Sequence, residues 1–303
     1  MDQKFYSRLA KILPENRIMK EEPMRLHTTF RAGGLARFFV VPETAQQLRQ
    51  IVRCCQEEEV AYYIIGNGSN LLVSDQGYEG VVIQIFREMN RIEVQGEVIT
   101  AQAGALLSAV AARALEAGLT GFEFAAGIPG TLGGACVMNA GAYGGEMKDV
   151  LKEVQVLTRQ GEIITLQKEQ LEMGYRTSVI AREQYIVLEA AIKLEKGDVQ
   201  AIRDRMEDLK NRRVTKQPLE YPSAGSTFKR PEGYFAGKLI QDAGLRGFQV
   251  GGAQVSEKHC GFVINKDHAT AGEINELIRQ IQEKVKEDSG VELETEVKRL
   301  GKF

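Results

Sequence analysis

Two glycine-rich stretches constrain this chain more than any other feature of its sequence. Residues 66–70 are Gly-Asn-Gly-Ser-Asn and follow an apolar run, and glycines recur throughout residues 127–145. Glycine lets the backbone approach a ligand closely, and successive small residues let N–H groups converge on an anion. Because glycine also loses more conformational entropy on folding than any other residue, such density favours a ligand that needs this backbone. Two loops of this kind predict one extended, phosphate-bearing ligand.

Each loop also has a purely structural explanation. Residues 66–70 could form no more than a tight turn. They do not match the Rossmann dinucleotide fingerprint, since Leu71 stands where the third glycine belongs and no helical pattern follows at once. Residues 127–145 could include a helix that packs closely through its glycines. At this point both alternatives stay open.

Helix and strand patterns surround the two loops and predict an α+β fold. A helix is expected from Thr44 to about Glu58, and another from about Ala105 to Ala117 with Gly118 closing it. A strand is expected at Val291–Arg299.

A strongly charged helical segment from Asp198 to Arg213, with the loop behind it, marks the best domain boundary. We predict subdomains at 1–88 and 89–198 and a smaller α+β domain at 199–303, since a chain of 303 residues is too long for one ordinary core. The charges between Arg203 and Arg213 are expected to form a solvated helix face.

The net charge of −2 gives the chain no overall attraction for nucleic acid or for an anionic membrane. Any anionic ligand must therefore be held by local arginines and lysines. The first residues form a short amphipathic pattern unlike a signal peptide, and no stretch approaches the roughly 20 apolar residues that span a bilayer. We expect a cytoplasmic protein. The oligomeric state stays open, with a monomer favoured.

Cysteine and histidine spacing argues against a metal. Four cysteines form no Cys-x-x-Cys pair and are expected to be reduced core or helix residues; they are Cys54, Cys55, Cys136 and Cys260. Three histidines lie far apart without His-Glu-x-x-His spacing. No metal site is predicted.

Several motifs in order along the chain resemble the UDP-N-acetylenolpyruvoylglucosamine reductases, the MurB family. The resemblance covers nearly the whole chain and rests on TTFRAGGLARFFVVPET (28–44), IIGNGSNLLVSD (64–75), GIPGTLGGACVMNAGAYGGE (127–146), GYRTSVI (174–180), PSAGSTFKRP (222–231), AGKLIQDAGLRGFQVGGAQVSEKHCGFVIN (236–265) and LETEVKRLG (293–301). The short span between Arg176 and Ser226 resembles the compact second type of the family, which lacks the inserted tyrosine-bearing substrate loop of the first type.

The resemblance implies a two-subdomain FAD-binding domain of the vanillyl-alcohol-oxidase type followed by a substrate-binding domain whose last strand returns to the flavin. It also implies non-covalent FAD, NADPH as co-substrate, and reduction of UDP-N-acetylglucosamine-enolpyruvate to UDP-N-acetylmuramate in peptidoglycan synthesis. The cofactor-binding residues that it indicates are Gly66, Asn67, Gly68, Ser69, Asn70, Gly127, Ile128, Pro129, Gly130, Thr131, Gly133, Gly134, Asn139, Ala140 and Gly141.

Three residues match the catalytic positions of the family. Arg176 would hold the substrate carboxylate as enolate-like charge develops, since a planar guanidinium suits a carboxylate. Ser226 would donate the proton, and Glu296 would polarise the enolpyruvyl group or orient the donor network. Arg176 could instead form a surface ion pair, and the residues alone favour a turn or N-cap role for Ser226. In an extended strand Glu294 points the same way as Glu296, so only the motif selects Glu296.

Substrate binding is expected to involve Tyr175, Lys229, Arg230 and His259. Lys229 and Arg230 lie just beyond Ser226 and could meet the UDP pyrophosphate. Arg230 replaces an Asn found in one branch of the family, so contacts of that Asn do not transfer. His259 could instead be a packed histidine.

Three other functions compete with this interpretation. A sugar or alcohol oxidase of the same superfamily would often carry flavin attached to a histidine, and neither glycine loop contains one. A non-catalytic nucleotide-binding protein would purify without colour and would not be reconstituted by FAD. A Rossmann dehydrogenase is disfavoured by the glycine spacing.

Overall fold

The computed structural model describes residues 2–303, with Asp2 described by its backbone alone. Contacts divide the chain into two compact units. The first unit contains residues up to 19, 39–67 and 81–213, and the second contains residues 20–38, 68–80 and 214–303. The boundaries predicted at residues 88 and 198 stay a prediction.

The first unit contains most of the helices. They are α1 (Asp2–Leu9), α2 (Ala45–Glu57), α3 (Leu107–Glu116), α4 (Leu132–Val137), α5 (Met147–Val150), α6 (Val179–Arg182) and α7 (Val199–Lys216), which crosses the division after Arg213. Thr44 caps α2 by accepting a hydrogen bond from the Gln47 N–H at 3.2 Å, as its position before the helical pattern predicts. Gly118 follows the end of α3 with φ of +65°, a conformation that favours glycine.

Strands β1 (Ile18–Pro23), β2 (Leu35–Val40) and β5 (Tyr78–Gln84) each contain residues of both units. The strands confined to the first unit are β3 (Tyr62–Ile65), β6 (Ile92–Gln95), β7 (Val98–Gln102), β8 (Leu119–Thr120), β9 (Gly141–Ala142), β10 (Gly145–Glu146), β11 (Leu151–Leu157), β12 (Ile163–Gln167), β13 (Ile186–Lys193) and β14 (Glu195–Lys196). Strand β3 pairs in parallel with β5 through residues 81–84.

A five-stranded antiparallel sheet forms the centre of the first unit, in the order β12-β11-β13-β7-β6. Central strand β13 is buried along almost its whole length, whereas edge strand β12 alternates exposed and half-buried residues. This is the pattern of a sheet covered at its centre and solvated at its edge. Helix α4 packs against β13 and thereby holds the second glycine-rich segment against the sheet.

The second unit is organised around one amphipathic helix. Its elements are β4 (Leu71–Val73), α8 (Ala236–Asp242), β15 (Gln249–Val250), β16 (Ala253–Val255), β17 (Val263–Asn265), α9 (Ala271–Ser289) and β18 (Lys298–Leu300). The apolar face of α9 packs on a core that includes Phe30, Leu72 and Phe228. Strands β15, β16 and β17 form an antiparallel sheet, and β18 pairs in parallel with β4.

The strand predicted at Val291–Arg299 is shorter in the structure, where only Lys298–Leu300 forms β18. The residues before β18 pair instead with residues 227–229: the Lys229 N–H donates to the Glu294 carbonyl at 2.8 Å, and the Glu296 N–H donates to the Thr227 carbonyl at 2.9 Å. The extended segment therefore changes partner along its length, which interrupts the strand.

Short 3₁₀ turns occupy Glu15–Arg17, Met24–Leu26, Glu123–Ala125 and Lys168–Leu171. All four cysteines are buried, as predicted for reduced core residues. Among residues 2–303, no helix is both long and apolar enough to span a membrane.

Candidate active site

The two predicted glycine loops meet within the first unit. The Asn67 side-chain amide donates to the Pro129 carbonyl at 2.9 Å. A Cβ atom on Gly66 would overlap Thr131 Oγ1, so the Thr131 side chain packs against the Gly66 backbone where a side chain at residue 66 would otherwise lie. Thr131 in turn caps α4 by accepting from the Gly134 N–H at 3.5 Å. The first residues of the first loop are thus fixed against the second loop.

Packing explains part of the glycine density in residues 127–145. A Cβ on Gly133 would lie 2.9 Å from the Ala103 Cβ, so this glycine is needed where α4 meets its neighbour. A Cβ on Gly134 would find its nearest neighbour, Thr131 Oγ1, at an ordinary 3.7 Å. Residues 132–137 form a glycine-containing helix, as the structural alternative allowed. Helix packing therefore accounts for Gly133 but not for Gly134.

Asn139 links the second glycine segment to the loop that carries Arg176. Its side-chain Oδ1 accepts from the Lys148 N–H at 2.9 Å, and its Nδ2 donates to Glu146 Oε2 at 2.8 Å and to the Gly174 carbonyl at 3.0 Å. Asn139 is 1% exposed and has φ of +44°, a conformation in which Asn is enriched. Since its side chain is occupied by these partners, the predicted contact with a cofactor would fall to the backbone here.

The Arg176 loop is anchored on both sides. Asn139 holds Gly174, and the Ser178 hydroxyl donates to the Val137 carbonyl at 2.7 Å while it caps α6. Between these anchors Arg176 has φ of +55° and a buried Nε atom. Its guanidinium carbon lies 5.4 Å from the ring centroid of Tyr175, whose side chain is exposed.

Arg176 also belongs to a local charge cluster. The ion pair with Lys148, at 2.8 Å, is the main cause that lowers the pKa of Glu146, and the Asn139 amide and the charge of Arg176 act in the same direction. Glu146 is therefore held as a carboxylate beside Arg176. Arg176 is half-buried on an anchored loop, and the ion-pair alternative stays open because Glu146 is a carboxylate beside it.

Arg213 is a candidate functional residue that the sequence did not single out. Its side chain lies against the start of the second glycine loop, where a Cβ on Gly127 would be 3.2 Å from Arg213 Cδ. Burial lowers the pKa of the Arg213 guanidinium from its ordinary value. The prediction of a solvated helix face holds for Arg205 and Arg212, which are exposed and pair with Asp208, but it is wrong for Arg213.

In the second unit, the last residues of the first loop contact the segment that carries Glu296. The Asn70 side-chain amide donates to the Glu296 carbonyl at 3.2 Å, and the Lys298 N–H donates to the Asn70 carbonyl at 3.0 Å. Gly68 has φ of +62°, and a Cβ there would overlap the His27 carbonyl. The parallel pairing of β4 and β18 continues this contact, so Asn70 lies beside the Glu296 backbone.

Ser226 and Glu296 are also brought together in the second unit. Thr227 follows Ser226 and is fully buried. Its N–H donates to the Gly261 carbonyl at 2.8 Å, its hydroxyl accepts from the Val263 N–H at 2.9 Å, and its carbonyl accepts from the Glu296 N–H. Ser226 itself is exposed, on a backbone that its neighbour fixes.

Glu294 differs from Glu296 in the structure. Glu294 is exposed and forms an ion pair with Lys229, whereas Glu296 is half-buried beside the Ser226–Thr227 backbone. The two glutamates thus differ in environment, and the catalytic assignment of Glu296 stays a prediction.

Two further predicted substrate residues have protein partners. The His259 ring packs edge-on against Phe262 with centroids 5.0 Å apart, and its Nδ1 accepts from the Gly261 N–H at 3.1 Å. These contacts favour the packed alternative for His259. The Arg230 guanidinium carbon lies 4.0 Å from the Phe235 ring centroid, and Phe235 is 61% exposed. Exposed aromatic residues at 234 and 235 were not singled out from the sequence, although their position just after the Ser226 motif was a signal.

Comparison with known families identifies both parts of the chain. The family model of the FAD binding domain matches residues 36–167, and that of the UDP-N-acetylenolpyruvoylglucosamine reductase C-terminal domain matches residues 217–300. A variant of Phl p 4, a glucose oxidase, shares the fold over 64% of this chain and 44% of its own with a TM-score of 0.51 and 17% identity. These findings define an FAD-binding oxidoreductase of the vanillyl-alcohol-oxidase fold.

Full-length relatives make the assignment specific. A UDP-N-acetylenolpyruvoylglucosamine reductase of Clostridium perfringens is 53% identical over 98% of each chain, and one of Geobacillus thermodenitrificans is 53% identical over 98% of this chain and 97% of its own. The crystal structure of the reductase from Thermus caldophilus superposes with a TM-score of 0.80 at 35% identity, covering 94% of this chain and 98% of the other. The chain belongs to the UDP-N-acetylenolpyruvoylglucosamine reductase family. The resemblance and the predicted α+β fold are confirmed.

Proposed function

We propose that this chain uses NADPH and non-covalently bound FAD to reduce the enolpyruvyl group of UDP-N-acetylglucosamine-enolpyruvate. The product would be UDP-N-acetylmuramate, a precursor of peptidoglycan. The observation that carries this proposal is the 53% identity with reductases of that name over 98% of both chains. Since that identity spans both family-matched regions, the relatives' activity transfers as a whole and not as that of one domain.

The glycine loops fit the cofactor. In the first unit, residues 66–67 and 127–134 are held together by the Asn67–Pro129 hydrogen bond and by the close approach of Gly66 to Thr131. At Gly134 the direction of a side chain is free of close contacts with the protein, so a ligand could approach this backbone. Bound FAD would supply the hydride chemistry, and the protein would supply orientation, charge and a proton.

Arg176 would bind the substrate carboxylate. A guanidinium can donate two parallel hydrogen bonds to a carboxylate and stabilise negative charge that develops as the double bond accepts hydride. The anchors at Gly174 and Ser178 fix the backbone on both sides of Arg176, which limits the reorganisation needed during the reaction. Exposed Tyr175 would line the same region.

Ser226 would donate the proton that completes the reduction. A serine hydroxyl is a weak acid, so it suits only a strongly basic, carbanion-like carbon, and hydride addition to an enolpyruvyl group generates such a carbon. The buried and hydrogen-bonded Thr227 fixes the backbone beside Ser226. Glu296, tied to the same backbone, would orient the donor or polarise the enolpyruvyl group.

The segment after Ser226 would bind the UDP group. Lys229 and Arg230 could neutralise the pyrophosphate, although Lys229 would have to share or leave its ion pair with Glu294. The exposed Phe235 ring, already stacked with Arg230, offers a flat apolar surface for the uracil base.

The proposal is tested by steady-state turnover of the purified chain. We expect NADPH oxidation that depends on the enolpyruvyl nucleotide, with UDP-N-acetylmuramate identified by mass, and slower turnover with NADH. A yellow protein that ignores this nucleotide and instead oxidises sugars with release of hydrogen peroxide would support the oxidase alternative and overturn the proposal. A colourless protein that FAD does not reconstitute would overturn it as well.

A further inference from the structure

Arg213 differs from the other charged residues of α7. Its neighbour Arg212 is exposed and pairs with Asp208 at 2.9 Å. Arg213 is half-buried and lies along Gly127, with its Cδ 3.2 Å and its Nη1 3.5 Å from the position of a Cβ at that residue. Two consecutive arginines of α7 thus lie in different environments: Arg212 is exposed, and Arg213 is half-buried against the second glycine loop.

Arg213 is partly buried without an acidic partner. Burial disfavours the charge of its guanidinium and lowers its pKa. Among residues 3–303, no aspartate or glutamate forms an ion pair or a side-chain hydrogen bond with Arg213. An arginine remains charged in such a site, so a bound anion would gain an interaction that water screens only partly.

We propose that Arg213 binds the pyrophosphate of FAD at the Gly127 end of the second glycine loop. This inference rests on the proposed function, because it takes FAD as the ligand of that loop. On this view a side chain at residue 127 would crowd the aliphatic stem of Arg213, whose Cδ lies 3.2 Å from the position of a Cβ there. The loop N–H groups and the guanidinium would then bind the same anion, with the fork of Arg213 donating two hydrogen bonds to it.

A charge located on α7 also suits the rest of the site. The loop residues at 66–67 and 129–131 contribute amides and hydroxyls but no cation, and the whole chain is slightly acidic. A diphosphate carries two negative charges in a partly desolvated site, and it is stabilised there only by opposite charge or by many N–H donors. Arg213 supplies that charge from within the first unit.

The test is FAD binding to apoprotein, measured by flavin fluorescence and independent of turnover. The Arg213→Met variant keeps much of the aliphatic stem over Gly127 and removes the charge. We expect its Kd for FAD to rise about 10- to 100-fold, as for loss of a charge-assisted hydrogen-bonding group. The Arg213→Lys variant should be intermediate, because it keeps the charge but loses the planar fork. Arg212→Met is the matched control and should bind FAD as wild type does.

A second readout separates charge from structure. Raising NaCl from about 0.05 to 0.5 M should weaken FAD binding by wild type more than by Arg213→Met, since salt screens partly exposed charges. A Kd for Arg213→Met equal to that of wild type would overturn the proposal. The proposal would also be overturned if Arg213→Met bound FAD more weakly but with the same salt dependence as wild type. A variant with an unchanged Kd for FAD and weaker binding of NADPH would overturn it too. A wild-type chain that binds no FAD would overturn the proposed function along with it.

Discussion

Asn139 shows how one buried side chain can hold a turn whose central residue it does not touch. Its Oδ1 accepts from the Lys148 N–H, and its Nδ2 donates both to the Glu146 carboxylate and to the Gly174 carbonyl. Because Gly174 begins the turn that carries Arg176, the geometry of the guanidinium depends on this amide. Sequence motifs predict Asn139 to be a cofactor residue, and in the structure its side chain is hydrogen-bonded to protein groups at the turn of Arg176.

Replacing Asn139 with Asp tests that role with almost no change of shape. The new carboxylate would still accept from the Lys148 N–H, but it would face Glu146 Oε2 and the Gly174 carbonyl without a hydrogen to donate. We expect a loss of about 1–3 kcal/mol in the free energy of unfolding, measured with denaturant, and slower substrate reduction. Asn90→Asp is the control, because Asn90 is exposed and should change stability by less than about 0.5 kcal/mol. Equal effects would contradict the role of Asn139.

His259 gives a pH-dependent prediction at the same scale. Its Nδ1 accepts from the Gly261 N–H, so the neutral ring carries its hydrogen on Nε2, and burial lowers the pKa of His259. The unfolded chain, with the ordinary pKa of about 6.5, therefore binds a proton more readily than the folded chain. The contribution of neutral His259 to the free energy of unfolding is complete above about pH 6.5. It is lost as the pH falls toward the pKa of His259 in the folded chain.

His259→Gln should accordingly lose less stability than wild type between pH 7.5 and pH 5.5. Denaturant unfolding at the two pH values measures the difference. His268→Gln, at an exposed histidine, should retain the wild-type dependence. If His259→Gln keeps the full pH dependence, burial of a neutral imidazole is not its source.

Helix α9 is the element that shows how distant segments hold the second unit together. Thr270 and Glu273 form a capping box, and the Asp75 carboxylate accepts from the Ala271 N–H at 2.9 Å and the Gly272 N–H at 2.7 Å. An acidic group is favoured at a helix N-terminus by both the free N–H groups and the helix dipole. Asp75 is the last residue of the motif at 64–75, which contains the first glycine loop, so one stretch of sequence contributes both to the loop and to the cap of α9.

Asp75→Ala should therefore destabilise the chain by about 1–2 kcal/mol in denaturant unfolding. The matched control is Asp242→Ala, which removes an exposed carboxylate that pairs with Lys238 within α8. Such a pair contributes about 0.3–0.5 kcal/mol. Indistinguishable losses would show that Asp75 is an ordinary surface acid.

Across the whole molecule, the sequence predicted features that depend on single residues or short segments, such as the ends of helices. Thr44 and Gly118 mark helix ends because capping and positive φ are properties of single residues. The contacts of Arg213 with Gly127, and of Asp75 with α9, join residues far apart in sequence and leave no periodic signal. The strand expected at 291–299 failed for a related reason, since its partner changes from residues 227–229 to β4.

The candidate site shows the same division. Glycine density predicted the loops, but only the structure distinguishes Gly133 from Gly134. A side chain at residue 133 would clash with Ala103, whereas a side chain at residue 134 would meet no protein atom closely. The catalytic assignments of Arg176, Ser226 and Glu296 came from motif resemblance and stay predictions. What the structure adds is a physical reason for each to be held in place.

The central claim is that reducing equivalents pass from FAD on this chain to an enolpyruvyl ether. The most direct test is anaerobic: the flavin is bleached with dithionite, the enolpyruvyl nucleotide is added, and flavin absorbance is followed. We predict that absorbance returns and UDP-N-acetylmuramate forms. In Ser226→Ala, bleaching by NADPH should be nearly unchanged and the return slowed by about 10²–10⁴-fold. A wild-type flavin that stays bleached in the presence of the nucleotide would contradict the claim.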